Sequence, residues 1–465
     1  MFPGQGSQVP GMALDLAEQF RDARLVVEEA SEALSMNIGK LLGESSVEEL
    51  RHPAAAQVAL VTHALAAAAV LREEGGIDAA SAQGTLVNSV LGHSVGEISA
   101  CAAAGALSLP DAVRLARIRG LAMDWSGLLA GEEPLMLALM GCSADAAAAA
   151  VRKHIASAAG TLRPRVAVAN INAPGQVVLS GDMTAVRAVE AALREAGSCR
   201  RAVPLTVGAA FHSPHMAAGV AALRLLLRPL PPRSCLDPSS KAEPLDRARG
   251  RELAEDERTS SRAEAARSRG EEAAAEAARA RQAKGKSEAE AEAEAGAEAD
   301  AGADAGAESG AAAEAEAEAE AADESAALLH RFFAASPQAR ALSAGGERPV
   351  AFGPPAVPVV TNIAAEVVWP QTEDAGAALA ERLVRQSAGT VQWEACVAAA
   401  LRLAGEAAPP DPEPAPDAGP EGQWLELGPG STLAGLVRRC AGRDGPGCAG
   451  VGSAQGMADF LRQRR

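Results

Sequence analysis

The chain has 465 residues, of which 48% are hydrophobic, and this length provides for two or three domains with a large core. Aromatic residues make up 2% and tyrosine is absent, so the core is predicted to consist of Ala, Val and Leu. The net charge is −17, but residues 288–325 hold 14 of the 60 acidic residues, which leaves 46 acidic against 43 basic residues elsewhere. Because no basic face with interleaved aromatic residues is visible, nucleic acid is not expected as a partner.

The seven cysteines form no C-x-x-C motif, and their odd number indicates reduced thiols in preference to disulfides or a zinc site. We expect no metal. No apolar run of membrane-spanning length is predicted, so no membrane partner is expected. A signal peptide is not predicted either, because the chain opens directly on a motif. The compartment stays open: the Ala-rich composition favours a plastid or mitochondrion for a nuclear-encoded eukaryotic protein, and the cytoplasm otherwise.

In chain order, a loop rich in Gly and Gln at 2–8 precedes predicted helices at 12–35 and 54–71. Residues 92–96 then have the form G-x-S-x-G, with Ser94 between a strand-like run and a helix of small residues. In that context a serine hydroxyl is raised on a sharp turn between a strand and a helix. The motif alone is a weak signal, because a glycine-flanked surface turn has the same pattern.

A helix predicted at 111–123 carries Arg114 and Arg117, expected on a solvated face, and Arg119, a candidate for a specific contact. Residues 134–206 show the β-α-β-β-α-β succession of a ferredoxin-like domain. His212 follows the last of these strands, in a loop where a base for Ser94 could lie. A structural or exposed histidine is the alternative.

Residues 233–348 are dominated by Ala, Glu, Arg, Gly and Ser, and they are predicted to form a disordered or fluctuating helical insertion. An acidic tail that binds a partner is the functional alternative. Globular sequence resumes at 349 with a strand, two helices, a Pro-rich loop and a strand that enters a glycine loop. The predicted large α/β domain consists of residues 1–133, 207–232 and 349–465. A small subdomain is predicted at 134–206, and the insertion lies at 233–348.

Seven short motifs occur in a fixed order along the chain: F-P-G-Q-G-S-Q at 2–8, G-H-S-V-G-E at 92–97, R-G at 119–120, N-A-P-G-Q-V-V at 172–178, F-H-S at 211–213, V-Q-W at 391–393 and E-L-G-P-G at 426–430. Together they resemble malonyl-CoA:acyl carrier protein transacylases of type II fatty acid synthesis and the acyltransferase domains of polyketide synthases. The resemblance covers the chain except 233–348. It implies an α/β-hydrolase-like large domain with a parallel sheet, an inserted ferredoxin-like small domain and a long low-complexity insertion.

The resemblance also implies a monomer that uses malonyl-CoA and phosphopantetheinylated acyl carrier protein as substrates, with no cofactor. It assigns Ser94 as the nucleophile and His212 as the base, which the main-chain carbonyl of Gln386 would orient. The implied oxyanion hole consists of the N–H groups of Gln5 and Val95. Arg119 is the implied ligand of the malonyl carboxylate, and Gln57, His93 and Phe211 are implied as further pocket residues. The implied reaction is a ping-pong transfer through a malonyl-serine ester.

Two departures from the family pattern give further expectations. Only Met1 precedes the loop at 2–8, where the family has a hydrophobic strand, so the sheet is expected to lack one strand and Gln5 to be poorly anchored. Thr390 stands where the family usually has Pro. Three other functions stay open: a polyketide synthase-type extender acyltransferase, a serine esterase or lipase, and a non-enzymatic protein that acts through its acidic insertion.

Overall fold

A computed structural model describes residues 1–81, 86–130, 133–158, 165–227, 331–344, 350–406, 423–442 and 445–464. These residues form an α/β fold, as predicted. The helices are α1 Leu14–Gln19, α2 Arg21–Leu34, α3 Ile38–Glu44, α4 Pro53–Gly75, α5 Gly96–Ala103, α6 Leu109–Leu129, α7 Ala144–Ser157, α8 Met183–Glu195, α9 Ala217–Leu226, α10 Pro337–Ala344, α11 Ala375–Gln386, α12 Trp393–Glu406, α13 Thr432–Ala441 and α14 Ala454–Arg464. The strands are β1 Val90–Leu91, β2 Pro134–Met140, β3 Val166–Ala173, β4 Gln176–Asp182, β5 Arg201–Pro204, β6 Val359–Val360, β7 Val367–Val368, β8 Trp424–Glu426 and β9 Cys448–Gly450.

The short strands β1 and β8 are joined by the first two residues of the chain. β1 pairs in parallel with β6, and β8 pairs in parallel with β9. Between them, the Phe2 N–H donates to the Leu91 carbonyl at 3.0 Å, and the Met1 amino group donates to the Leu425 carbonyl at 2.7 Å. Residues 1–2 therefore bond to a strand on each side, although only Met1 precedes the loop, while the anchoring of Gln5 itself stays a prediction.

A cavity of about 660 Å³ lies beside these residues. Its walls are mostly apolar and include Leu65, Ala103 and Phe460 together with the strand segments 90–91 and 424–425. Ser94 does not line it. The cavity therefore belongs to the packing around β1 and β8.

A second sheet lies within 134–204 and has the strand order β3-β4-β2-β5, with every neighbouring pair antiparallel. Helices α7 and α8 follow β2 and β4, which gives the predicted β-α-β-β-α-β succession. One face of the sheet packs with these helices around Leu137, Leu179 and Val186. The other face contributes to an apolar cluster with Met123 and Phe211, which connects the sheet to the rest of the fold.

The central helix is α4, which runs from Pro53 in its first turn to a left-handed cap at Gly76. It extends beyond the predicted 54–71 because Pro53 suits the first turn of a helix and the strong helix formers Arg72, Glu73 and Glu74 continue it at the other end. By length and composition α4 could cross a membrane, which corrects the expectation that no run reaches that length. Most of it is buried among α2, α5 and α6, as is usual for a core helix of a globular domain.

Two further expectations about the helices need correction. The helix predicted at 12–35 is interrupted at Phe20, whose backbone is extended with φ −117° and ψ 126°. Arg117 is not simply solvated, because its Nη1 donates to the Ala54 carbonyl at 2.8 Å.

Part of the predicted insertion is folded. Residues 233–330 and 345–348 lie outside the described residues, but 331–344 are described and largely helical. Phe332 is fully buried, with its ring centroid 5.2 Å from that of Trp125. The adjacent Phe333 packs against the same core. These two aromatic residues supply the apolar surface that the rest of the insertion lacks, and burial of that surface offsets the entropy of ordering the segment.

Candidate active site

Ser94 lies on the turn between β1 and α5, and the turn depends on its two glycines. Ser94 has φ 51°, in the left-handed region. A Cβ on Gly92 would lie 2.0 Å from the Gly96 carbonyl, and a Cβ on Gly96 would lie 2.1 Å from the Phe2 carbonyl oxygen. Any side chain at either position would thus collide with backbone. The G-x-S-x-G pattern is required here because the chain doubles back at contact distance and the N-terminal loop packs on top.

The Ser94 hydroxyl meets His212. The distance between Ser94 Oγ and His212 Nε2 is 2.8 Å, and His212 Nδ1 lies 2.8 Å from the Gln386 carbonyl and 3.1 Å from the Gly389 carbonyl. Carbonyl oxygens only accept hydrogen bonds, so we assign the ring proton to Nδ1 and the lone pair to Nε2. This tautomer is the one that can take a proton from Ser94.

The carbonyl that orients His212 belongs to the last residue of α11. The final carbonyls of a helix carry partial negative charge, so this helix end occupies the place that a carboxylate takes in a Ser-His-Asp triad. Burial, followed by the nearby Arg119 charge, lowers the pKa of His212 to about 3. The ring is therefore neutral at physiological pH and can act as a base.

Arg119 is the charged group next to this pair, and it is 1% exposed. Its Nη1 donates to Gln57 Oε1 at 2.8 Å, its Nη2 donates to Gln386 Oε1 at 2.7 Å, and its Nε donates to Ser387 Oγ at 3.2 Å. A longer contact of 3.4 Å joins Nη2 to Ser94 Oγ. The guanidinium is thus held from three sides, with one N–H left over on each terminal nitrogen, and Nη2 is the nitrogen that approaches the serine.

A buried carboxylate lies behind the guanidinium. Glu97 accepts hydrogen bonds through Oε2 from the Asn362 N–H at 2.8 Å and from Gln386 Nε2 at 2.9 Å. Burial raises the pKa of Glu97 to about 7 and lowers the pKa of Arg119 to about 10. Arg119 therefore keeps its charge at neutral pH, while burial favours the protonated form of Glu97 more than water would.

Asn362 also belongs to the site, although it lies outside the seven short motifs of the sequence. Its Oδ1 accepts from the Ser94 N–H at 2.6 Å, and its Nδ2 donates to the Gly92 carbonyl at 2.6 Å. The side chain therefore bridges the Ser94 N–H and the Gly92 carbonyl and stabilises the serine turn. The sequence offers one sign of this role, which is that Asn362 closely follows β6, the parallel partner of β1.

The other residues assigned to the pocket lie at different depths. Gln57 contacts Arg119 directly. His93 turns towards the four-stranded sheet, where its Nε2 lies 2.9 Å from Asn172 Oδ1 and its ring packs against Trp393. Phe211 packs in the apolar cluster that contains Met123. Substrate contacts by His93 and Phe211 stay predictions.

The Gln5 and Val95 backbone N–H groups stay predicted oxyanion donors. Within the described part of the chain, neither N–H donates to a protein acceptor. The N-terminal loop is fixed next to the serine turn, because the His93 N–H donates to the Phe2 carbonyl at 2.9 Å. The Gln5 side chain points away, with Nε2 3.4 Å from the Arg51 carbonyl.

Comparison with known proteins adds independent findings. Residues 1–298 match the model of the family described as acyl transferase domain. The malonyl CoA-acyl carrier protein transacylase of Bacillus subtilis (strain 168) is 38% identical over 213 residues, which are 46% of this chain and 62% of that protein. The chain thus aligns with less than two thirds of that relative's length.

Solved structures share the fold. An acyl-carrier-protein-S-malonyltransferase from Bartonella henselae superimposes with a TM-score of 0.60 at 24% identity, covering 99% of this chain and 97% of the other. A malonyl-transacylase in complex with its type II polyketide synthase acyl-carrier protein gives a TM-score of 0.60 at 22% identity, with coverages of 99% and 97%. At these identities the likeness shows the α/β fold.

Proposed function

The chain belongs to the acyl transferase domain family, and from this we propose that it transfers a malonyl group from malonyl-CoA to the phosphopantetheine thiol of acyl carrier protein. The intermediate is a malonyl ester on Ser94. The observation that carries the proposal is the Arg119 guanidinium, buried and 3.4 Å from the Ser94 hydroxyl. A buried cation beside a nucleophile favours an acyl group that itself carries an anion.

The first half-reaction forms the ester. His212 Nε2 accepts the Ser94 proton while Oγ attacks the thioester carbonyl of malonyl-CoA. The N–H groups of Gln5 and Val95 stabilise the oxyanion of the tetrahedral intermediate. The carbon–sulfur bond then breaks, and the imidazolium returns the proton to the departing CoA sulfur. The Gln386 carbonyl holds the ring in one orientation throughout.

The second half-reaction runs the same steps in reverse with a different thiol. The phosphopantetheine thiol gives its proton to His212 Nε2 and attacks the malonyl ester. Ser94 leaves with that proton, so the dyad is regenerated. No proton or electron is left over, and we propose that no cofactor is required.

Selectivity arises from the way Arg119 is held. Gln57 and Gln386 each accept one N–H of a terminal guanidinium nitrogen, so the second N–H of each nitrogen can bind the malonyl carboxylate. An uncharged acyl group would leave these donors without an acceptor, a penalty of about 1–3 kcal/mol. Malonyl-CoA is therefore preferred over acetyl-CoA for two reasons. Its carboxylate bonds to the guanidinium, and acetyl-CoA would leave the same Arg119 donors without an acceptor.

Acyl carrier protein is proposed as the acceptor because the Bacillus subtilis relative carries it in its name and a structural neighbour was solved bound to it. We propose a monomer with no nucleic acid or membrane partner. We also propose that the large part of the fold is α/β-hydrolase-like and that the four-stranded antiparallel sheet with its two helices is ferredoxin-like, which the order β3-β4-β2-β5 supports.

A polyketide synthase-type extender acyltransferase is the second candidate, since one neighbour was solved with a polyketide synthase carrier. The two candidates share the chemistry on Ser94 and differ in the carrier. A serine esterase is disfavoured, because hydrolysis of neutral esters has no use for a buried Arg119.

Intact-protein mass spectrometry tests the proposal. After mixing with malonyl-CoA, the protein should gain the mass of one malonyl group, which peptide mapping should locate on Ser94. Addition of holo acyl carrier protein should then remove that mass and place it on the carrier. Ser94→Ala should stay unmodified; a malonyl adduct on this variant would show that another residue is the nucleophile. Parallel runs with carriers from fatty acid and polyketide systems separate the two candidates.

A further inference from the structure

His212 adopts a backbone conformation that its own sequence does not favour. Its φ is 56°, in the left-handed region, which costs a non-glycine residue about 1–2 kcal/mol. Such a conformation persists only when the surrounding structure holds it. The following residue, Ser213, makes two hydrogen bonds within the loop. Its Oγ donates to the Ala210 carbonyl at 2.6 Å and accepts the His215 N–H at 3.2 Å. These bonds are local and tie the loop only to itself.

Besides the contacts of the His212 ring with Ser94, Gln386 and Gly389, a second side chain of this loop reaches a distant part of the fold. His215 Nε2 lies 2.7 Å from Asp182 Oδ1, and both side chains are largely buried. Asp182 is the last residue of β4, in the four-stranded sheet. It is itself fixed by Arg165, whose backbone N–H donates to Oδ2 at 3.0 Å and whose Nη2 donates to Oδ1 at 3.1 Å. The sheet thus presents a rigid acceptor to the histidine loop.

Arg165 extends this anchor to the helix that carries Arg119. The Arg165 Nη2 also donates to the Ala130 carbonyl at the C-terminal end of α6. The loop that carries His212, the four-stranded sheet and helix α6, which carries Arg119, are therefore connected through Asp182 and Arg165. Movement of Asp182 or loss of His215 would free the loop at the turn that directly follows His212.

We propose that His215 and Asp182 form a positioning pair that holds the His212 loop so that Nε2 faces Ser94. Neither residue touches the reacting atoms; they act through His212. The proposal rests on the proposed function, since it assigns a role within the same acylation step. His215→Leu should lower the rate constant for Ser94 acylation by about 10- to 100-fold, equivalent to about 1.4–2.8 kcal/mol in the barrier, while KM for malonyl-CoA changes little.

The test uses a readout that does not depend on malonyl chemistry. A fluorophosphonate probe reacts with a serine activated by a neighbouring base, so its rate of reaction with Ser94 reports how well His212 is placed. The variants are His215→Leu, Asp182→Asn and the conservative His215→Gln, whose side-chain N–H can still donate to the Asp182 carboxylate. Glu190→Gln is the matched control, because it removes another paired, buried carboxylate of the same region, bonded to Arg187 and Arg194.

The proposal predicts slow labelling for His215→Leu and Asp182→Asn, labelling within about threefold of the parent for His215→Gln, and parent-like labelling for Glu190→Gln. Equal labelling of all folded variants would overturn it, and so would an equally slow His215→Gln. If His215→Leu does not fold, Asp182→Asn with His215→Gln decides. Parent protein that reacts with the probe but takes up no malonyl group would instead refute the proposed function and leave the positioning pair standing.

Discussion

Replacement of Arg119 should invert the acyl preference of the site. The side chain is fully buried and bonded to Gln57, Gln386 and Ser387, and each terminal nitrogen has one N–H left over, with Nη2 3.4 Å from Ser94 Oγ. A malonyl carboxylate that binds there gains two charge-assisted hydrogen bonds. Each is worth about 1.5–3 kcal/mol, so their loss in Arg119→Ala should cost malonyl transfer about 3–6 kcal/mol, or roughly 10²–10⁴-fold in kcat/KM.

Acetyl transfer should respond in the opposite direction. An acetyl group has no carboxylate, so in the parent protein it forces the guanidinium to lose hydration without gaining an acceptor. Removal of the cation abolishes that penalty, and Arg119→Ala should transfer acetyl groups at least as fast as the parent. The matched control is Arg117→Ala, two residues earlier on α6, which should leave the ratio of malonyl to acetyl kcat/KM unchanged.

The assay is stopped-flow or quenched acylation with each acyl-CoA, combined with thermal unfolding to confirm that the variants are folded. Arg119→Ala leaves the polar groups of Gln57 and Gln386 without their partner, so some loss of stability is expected in addition. Equal losses for malonyl and acetyl transfer would refute the carboxylate-ligand role, because a purely structural arginine affects both substrates alike.

Three other changes have outcomes that the structure specifies. His63 is buried with Nε2 2.7 Å from the Gly452 carbonyl, and burial lowers its pKa to about 4. The unfolded chain therefore binds more protons than the folded one between about pH 4 and 6.5, and acidification through this range destabilises the parent. When the pH is lowered from 7.5 to 5, the unfolding free energy measured by urea titration should fall by about 2 kcal/mol more in the parent than in His63→Gln. Ser94→Gly should be more stable than Ser94→Ala by about 1 kcal/mol in the same titration, because both lose the hydroxyl and only alanine keeps a Cβ at positive φ; an inverted order would contradict the strain at the turn. Thr390→Val should lower stability by about 1 kcal/mol, because the Thr390 hydroxyl donates to the Val168 carbonyl at 2.7 Å, and an unchanged melting temperature would show that this bond contributes nothing.

The sequence indicated the parts of the site that short motifs carry. Local patterns and the family resemblance point to Ser94, His212 and Arg119, and the structure brings all three together. The succession of strands and helices at 134–206 followed from hydrophobic periodicity, which is a local property.

Residues that act through long-range polar contacts were not accessible in this way. Asn362 closes the Ser94 turn from 268 positions away, and the only local sign of it is its position after a predicted strand. Glu97 stood within a recognised motif, but its raised pKa depends on burial that only the packed fold produces. The folded end of the insertion was missed because average composition over a long segment conceals two adjacent aromatic residues, Phe332 and Phe333.

The carbonyl of Gln386 has a consequence for the genetics of this site. A triad aspartate can be removed by a single codon change, but a main-chain carbonyl is present whichever amino acid is encoded. Substitutions at 386 therefore act on Arg119, Glu97 and the serine turn through the lost side chain, while the oxygen that orients His212 remains. A mutational scan should accordingly separate two kinds of sensitivity at one position: amino acid replacement should alter substrate preference, and only insertions, deletions or proline substitutions that shift the end of α11 should disable the base.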